Sequence, residues 1–132
     1  MQITLRKVKM ADSKLLYHLL KDRPNYANIS HNKMPYWEEH IAFMESNPYK
    51  EWFIVEGLEL SGYMDVGSVY ITKADEIGIA VLRKYWRKGY GLAIIKEVMK
   101  ECPREKYYAN ISPYNMGSQK LFKKLGFTTL QY

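Results

Sequence analysis

Alternating apolar and polar residues predict a strand and a helix at the start of the chain. Residues 2–8 alternate imperfectly between apolar and polar side chains, which predicts a first strand. Asp12 is then placed to cap a helix that ends before Pro24, because proline cannot continue a helix. The apolar face of this helix is formed by four leucines, Leu15, Leu16, Leu19 and Leu20.

The middle of the chain predicts a second helix followed by three strands. Pro35 suits the first turn of a helix that ends at Asn47-Pro48 and whose apolar residues recur at helical spacing, namely Trp37, Ile41 and Met44. Runs rich in β-branched and aromatic residues then predict strands at 51–56 and 67–72, joined by a loose glycine-rich connection, and at 76–82.

The last third predicts a helix, a strand, a helix and a strand. The first of these helices follows Gly91 and has one apolar side, made of Leu92, Ile95, Val98 or Met99, and Cys102. A strand is predicted at 107–112 and another at 127–132. Between them, Asn115 begins a helix that Gly126 ends, with Leu121, Phe122 and Leu125 facing inward. The order βααβββαβαβ predicts an α+β fold with a mixed sheet.

The turn between the strand at 76–82 and the next helix has the features of an anion site. It is basic, with Arg83, Lys84, Arg87 and Lys88, and it ends in two glycines, Gly89 and Gly91. The first N–H groups of a helix have no partner within the helix, and glycine lets an anion approach them closely. A P-loop is excluded because no Gly-Lys-Ser/Thr follows, and the dinucleotide fingerprint would need a glycine in place of Ile94.

Two motifs in the second half of the chain resemble one known family. Trp86-x-x-Gly89-x-Gly91 resembles the Gln/Arg-x-x-Gly-x-Gly/Ala signature of the GNAT superfamily of acetyl-CoA-dependent N-acetyltransferases. The tryptophan is common in the subgroup similar to ribosomal-protein N-terminal acetyltransferases. At the right distance follows Asn115-x-x-Ser118-x-x-Leu121-Phe122-x-x-x-Gly126-Phe127, which is similar to the family's closing segment. The resemblance is specific over residues 60–130 and rests only on element order over 1–59.

The resemblance implies a single N-acetyltransferase domain over residues 1–132, with a GNAT-like sheet flanked by about four helices, and it implies acetyl-CoA as cosubstrate. The backbone N–H groups of 87–92 would hold its phosphates, and the strand end at Val81 and Leu82 would pair with its pantetheine arm. Asn115 is either a helix cap or a ligand of the cofactor. The residues expected at the cofactor are Val81, Leu82, Arg87, Lys88, Gly89, Tyr90, Gly91, Leu92, Asn115, Ser118 and Phe122.

The family's pattern leaves the acid and the base of the reaction open. Many members have a tyrosine at the position of Phe122 that protonates the departing thiolate, and phenylalanine cannot do so. Tyr114 or Tyr132 could replace it, or no acid is needed, since a thiol titrating near 8.5 leaves readily. Glu76, at the start of the strand that enters the cofactor site, is the candidate base acting through water. It could equally form a solvated acid pair with Asp75.

The acceptor is expected to be a primary amine of a small molecule or a peptide. Residues 23–40, which include His31 and His40 as further candidate bases, vaguely resemble acetyltransferases of amino sugars linked to nucleotides. The chain ends where the family usually adds one more strand, so a second copy is expected to complete the sheet or the acceptor site. No cysteine and histidine cluster has the spacing of metal ligands, and no metal is expected.

Charge and composition leave two alternatives of other classes. The net charge of +6 could match an anionic cosubstrate, or it could belong to a solvated surface. It could also attract nucleic acid to a binding module around Lys106-Tyr107-Tyr108. Because adjacent strand residues face opposite ways, the two tyrosines would not form one stacking surface, and no nucleic acid is expected. A non-catalytic acyl-CoA-binding module is the other alternative. The single cysteine, Cys102, and the lack of a leader or membrane-spanning run predict a cytoplasmic protein.

Overall fold

The computed structural model describes residues 1–23, 34–112 and 114–129. Within them the chain forms four strands and four α-helices. The strands are β1 (Ile3–Lys7), β2 (Glu51–Glu59), β3 (Gly62–Ile71) and β4 (Ile77–Val81). The helices are α1 (Ser13–Asp22), α2 (Trp37–Glu45), α3 (Tyr90–Glu101) and α4 (Met116–Lys124). The α+β class predicted from the sequence is confirmed.

The four strands form one antiparallel sheet in the order β1-β2-β3-β4. The loose connection predicted between β2 and β3 is wrong, because the two strands continue to a short turn at Leu60 and Ser61. The glycines that suggested a loop lie inside the strands instead. A Cβ at Gly57 would lie 2.5 Å from the Tyr90 hydroxyl, and one at Gly67 would lie 2.2 Å from the Ala80 carbonyl oxygen. These glycines therefore permit close packing within and against the sheet.

Each face of the sheet carries its own helices and its own core. The larger core packs α3 and α4 against the face that includes Val55, Val69 and Ile77. The smaller core packs α1 and α2 against the opposite face, around Ile54 and Ala80. Because side chains alternate along a strand, Glu76, Gly78 and Ala80 of this part of the chain share the α1 and α2 face.

The predicted strand at 107–112 is reduced to one parallel bridge, between Tyr108 and Glu76. Tyr107 does not extend this bridge, because its hydroxyl donates to the Cys102 carbonyl (2.7 Å) at the end of α3 and accepts the Arg104 N–H (2.9 Å). The parallel part of the predicted mixed sheet is therefore confined to this bridge. Of the last predicted strand, residues 127–129 are not in a strand, and residues 130–132 lie outside the described residues.

Asp12 was predicted to cap the first helix, and its side chain is used differently. It accepts two hydrogen bonds from the Arg6 guanidinium (2.9 and 3.0 Å) and one from the Lys9 N–H (2.8 Å), and it makes no bond to the N–H groups of α1. Burial opposes ionisation of the carboxyl, but these hydrogen bonds outweigh it and lower the pKa of Asp12. Asp12 thus joins β1 to α1. None of the helices in the described ranges is long and apolar enough to cross a membrane.

Candidate functional site

Strand β4 has one paired edge and one edge that is almost unpaired. In the antiparallel ladder with β3, residues 78, 80 and 82 point their N–H and C=O groups at β3, as the bond from the Leu82 N–H to the Val66 carbonyl shows (2.9 Å). Residues 77, 79 and 81 therefore point away from β3. On that side the Ile77 N–H donates to the Tyr108 carbonyl (2.7 Å), after which the neighbouring chain forms no further strand up to residue 112.

We call the groups beyond this bridge the open edge of β4: the N–H and C=O of Ile79 and the N–H of Val81. The Val81 carbonyl is not part of it, because the indole N–H of Trp86 donates to that oxygen (2.7 Å). Leu82 is bonded on both sides, to Val66 through its N–H and to Tyr85 through its carbonyl. Of the two residues predicted to meet an extended ligand, Val81 thus offers a backbone donor and Leu82 offers none.

The turn after β4 brings the start of α3 close to the open edge. A short 3-10 turn, Arg83–Tyr85, leads into Arg87 and Gly89, which have φ values of +62° and +90°. Gly89 is the cap residue of α3, and the first bond within the helix runs from the Ala93 N–H to the Gly89 carbonyl. The N–H groups of residues 90–92 precede that bond and are left for an external acceptor. Gly89 and Lys88 also line a groove of about 670 Å³ between α3 and the start of β1.

The four cations of this turn are exposed and differ in their partners. Lys88 pairs with Glu59 (3.3 Å), and Arg83 lies over the Trp86 ring at 5.0 Å from its centroid. Lys84 lies over the Tyr85 ring. In the part of the chain that the structure describes, no carboxylate pairs with Lys84 or Arg87. The turn therefore keeps positive charge that the described residues do not neutralise.

Tyr90 and Gly91 have structural roles besides their backbone N–H groups. The Tyr90 side chain is 2% exposed, and its hydroxyl donates to Glu59 beneath the β2 to β3 hairpin. Burial and the Glu59 carboxylate raise the pKa of Tyr90 to about 12. A Cβ at Gly91 would lie 2.9 Å from a terminal methyl of Leu121 in α4, so glycine here also lets the two helices approach.

On α4, the expected cofactor residues divide between the helix start and the core. Asn115 is the cap of α4, because its Oδ1 accepts the Ser118 N–H at 3.1 Å. The structure therefore supports the capping interpretation, which leaves the Asn115 amide N–H₂ for another partner. Phe122 is 5% exposed and packs edge-on against Phe127 within the larger core.

Glu76 stands at the point where β4 and the chain at Tyr108 separate. Its two carboxylate oxygens accept hydrogen bonds from the Thr72 hydroxyl (3.4 Å) and the Asn110 amide (3.0 Å). Asp75 does not share this site. It adopts a φ of +62° and pairs with Arg104 (3.2 Å), so the acid pair considered from the sequence does not form.

The sequence analysis missed Tyr70, which lies near Glu76, and Tyr49, which lies against Tyr70. Tyr70 of β3 faces Gly78 across the sheet, and a Cβ at Gly78 would lie 2.2 Å from the Tyr70 hydroxyl. Tyr49 stacks on Tyr70 with ring centroids 3.9 Å apart and planes 7° from parallel. Burial and the Glu76 carboxylate raise the pKa of Tyr70, so its phenol stays protonated at neutral pH. A glycine between Ile77 and Ile79 was the available sign that another group approaches the strand.

We expect Gly78→Ala to destabilise the protein by about 1–3 kcal/mol, the usual cost of overpacking. The new methyl would overlap the Tyr70 ring, because a Cβ at this position would lie 2.0 Å from the Tyr70 Cζ. Thermal unfolding checks the prediction. In a chain that also carries Tyr70→Ala, Gly78→Ala should cost little further stability. Strictly additive losses of stability for the two substitutions would contradict the overlap.

Of the two histidines proposed as alternative bases, His40 does not join this site. The buried His40 places Nε2 2.9 Å from the Ser13 carbonyl oxygen and packs against the Tyr17 and Trp37 rings, which ties α2 to α1. His31 lies outside the described residues. Across the three described ranges, no group of three His, Cys, Asp or Glu side chains could hold a metal ion.

The arrangement fits a ligand with an extended, amide-containing arm and phosphate groups. The open edge of β4 offers strand-type donors and an acceptor, and the start of α3 offers unpaired N–H groups in a cationic turn. Glu76 and Tyr70 then lie near one end of that edge.

Comparisons with known proteins identify a matching family and similar solved structures. Residues 14–127 match the sequence model of the acetyltransferase (GNAT) family. A solved domain from Methanocaldococcus jannaschii is similar, with 25% identity over 98% of this chain and 90% of that chain and a TM-score of 0.83. The spermidine/spermine N-acetyltransferase SpeG from Vibrio cholerae has 19% identity, coverage of 99% and 82%, and a TM-score of 0.72. The protein yncA from Salmonella typhimurium, solved with its cofactor acetyl-CoA, has 17% identity, coverage of 99% and 82%, and a TM-score of 0.73. No curated protein matches the sequence.

Proposed function

Since the chain belongs to the acetyltransferase (GNAT) family and is an acyltransferase, we propose that it moves the acetyl group of acetyl-CoA to a primary amine. The amine attacks the thioester directly, without an acyl-enzyme intermediate. The observation that carries this proposal is the open edge of β4 next to the cationic start of α3. Acetyl-CoA supplies the activated acetyl group when it is bound, and the residues of the chain position it.

Binding of the acyl donor is assigned to backbone groups. The N–H groups of residues 87–92 hold its phosphates, with Arg87 and Lys88 adding charge. The N–H and C=O of Ile79 and the N–H of Val81 hold the extended arm as a neighbouring strand would, and the N–H groups also polarise the thioester carbonyl. In this proposal Leu82 and Phe122 pack around the arm. Asn115 donates a hydrogen bond from its amide N–H₂ group, and Ser118 provides a small side chain at the same helix start.

Glu76 is the proposed base. An alkylammonium group titrates near 10.4, so it must lose a proton before it attacks. Glu76 lies three positions before Ile79, which is about 10 Å of strand, so the carboxylate acts through water rather than by contact. Thr72 and Asn110 fix its position.

Phe122→Tyr should leave turnover unchanged or raise it, and Phe122→Leu should keep most of the activity. The reason is that Phe122 serves packing and no proton donor is lost at this position. Thiol release at saturating substrate measures the effect. A loss above about a hundredfold for Phe122→Leu, the scale expected for removal of a proton donor, would contradict the assignment if circular dichroism shows that the variant is folded.

An amino sugar, free or linked to a nucleotide, is the acceptor that we propose. The side chains around the approach to Glu76 are polar and suit a hydroxyl-rich molecule, since Tyr70, Thr72 and Asn110 all carry hydrogen-bonding groups. Release of CoA thiol with a panel of amino sugars, peptides with free N-termini and polyamines tests the proposal. Binding of acetyl-CoA with no transfer to any of these amines would favour the non-catalytic alternative.

A second copy of the chain that completes the sheet or the acceptor site is part of the same proposal. Sedimentation velocity at the concentrations of the activity assay tests it. A monomer with full activity would show that one chain forms the complete site.

A further inference from the structure

Arg23 lies next to the proposed acceptor site. It follows α1 directly, and the end of α1 is anchored beside β4 because Asp22 accepts the Arg83 N–H at 2.9 Å. The Arg23 guanidinium lies within electrostatic range of Tyr49 and Tyr70, whose rings stack on each other. Arg23 therefore lies near Tyr70, the side chain that faces Gly78 of β4.

The positive charge of Arg23 has no anionic partner among the described residues. Its Nε atom is buried without a hydrogen-bond partner. Burial lowers the pKa of Arg23, and no carboxylate among the described residues opposes this shift. Residues 24–33, which follow it, contain no Asp or Glu. By contrast, Arg6 and Arg104 each pair with two or more carboxylates.

A partly buried guanidinium without a counter-ion is unfavourable unless a ligand supplies one. The planar guanidinium matches the two oxygens of a carboxylate or phosphate and binds either through paired hydrogen bonds. The neighbouring tyrosine hydroxyls are neutral and add further donors. The cluster of Arg23, Tyr49 and Tyr70 thus has the composition of an anion site.

We propose that Arg23 binds an anionic group of the acceptor, a carboxylate or a phosphate, while the amine of the same molecule lies near Tyr70 and Glu76. This inference rests on the proposed transfer to an amine and narrows it. The preferred acceptors are amines that also carry a negative charge, such as amino-sugar phosphates or amino acids. Polyamines, which carry only positive charges, are disfavoured.

The test compares matched amines that differ in one anionic group: glucosamine 6-phosphate against glucosamine, and 4-aminobutyrate against its amide. We expect kcat/KM to be about ten- to hundredfold higher for the charged member of one pair, the effect of a charge-assisted hydrogen bond. The pair that responds identifies phosphate or carboxylate. A preference in neither pair, or spermidine as the best acceptor, would overturn the inference.

Arg23→Gln should abolish the preference by lowering kcat/KM for the charged amine alone. Lys21→Gln is the matched control, because it removes the same charge from an exposed residue of α1 whose ammonium lies over the Tyr17 ring. Equal losses for both members of a pair would indicate a structural role. Equal effects of Arg23→Gln and Lys21→Gln on kcat/KM would indicate only a long-range electrostatic field. Either of these two results would overturn the inference.

Calorimetric binding of the same amines to the CoA-loaded protein separates this inference from the proposed function. Tighter binding of the charged amine, lost in Arg23→Gln, would support the anion site even if no acetyl transfer occurs. Binding without a preference would overturn the anion site even if transfer is fast.

Discussion

Glu76→Gln is expected to lower kcat/KM by about 10²–10⁴ and to leave acetyl-CoA affinity nearly unchanged. Glutamine keeps the shape, and its oxygen can still accept one of the two hydrogen bonds from Thr72 and Asn110, but it cannot accept the proton of the amine. The defect should shrink as pH rises toward the amine pKa near 10.4, because solvent then supplies the free amine. The measurement is kcat/KM for one acceptor across a range from about pH 6.5 to about pH 9.5, below that amine pKa.

Glu105→Gln is the control for Glu76→Gln, since it removes one exposed carboxylate elsewhere on the chain. It should leave the whole profile unchanged. A defect of Glu76→Gln that is the same at every pH, or no defect, would show that Glu76 is not the base. The proton would then pass to His31, to His40 or directly to solvent.

Gly89→Val is expected to weaken acetyl-CoA binding by about a hundredfold, which is about 2.7 kcal/mol. Valine disfavours the φ of +90° that Gly89 adopts, so the turn must change and the N–H groups of residues 90–92 lose their common direction. Loss of one or two hydrogen bonds to charged phosphates, each worth about 1.5–3 kcal/mol, gives this magnitude. Calorimetric titration with acetyl-CoA measures it.

Gly126→Val separates the binding effect of Gly89→Val from strain alone. Gly126 has a φ of +95°, and like Gly89 it has no close neighbour at the position of a Cβ, but it follows the far end of α4. Both variants should lose stability to a similar degree, and only Gly89→Val should lose affinity. Equal affinities in the two variants would contradict the proposed phosphate site.

The sequence predicted the parts of the site that depend on local structure. Gly89 and the start of α3 follow from a strand, a basic turn and two glycines that lie close together in the chain. Asn115 follows in the same way from the local preference of asparagine for helix starts. In each case the residues that decide the conformation are only a few positions apart, so the pattern of the chain contains the information.

The acceptor side depends on residues that are distant in the sequence. Tyr70 reaches β4 only because the register of β3 and β4 places it opposite Gly78, and Tyr49 reaches it from the loop after α2. Arg23 joins them through the packing of α1 beside β4. Strand register and helix packing are set by the whole fold, so the helical and strand periods alone could not identify this cluster. The strand predicted at 107–112 does not form for the same reason, because the Tyr107 side chain is bonded to the end of α3.

The hydrogen bond between Trp86 and the Val81 carbonyl also limits aggregation through the open edge of β4. An exposed strand edge is a template on which another polypeptide can add a strand and start aggregation. In β4 the bridge at Tyr108 closes one end of the edge, and the Trp86 indole closes the other. What is left spans residues 79–81, well below the usual strand length of about five to six residues. A slender two-amide ligand can pair with such a short template, whereas a foreign β-strand gains too few hydrogen bonds to stay.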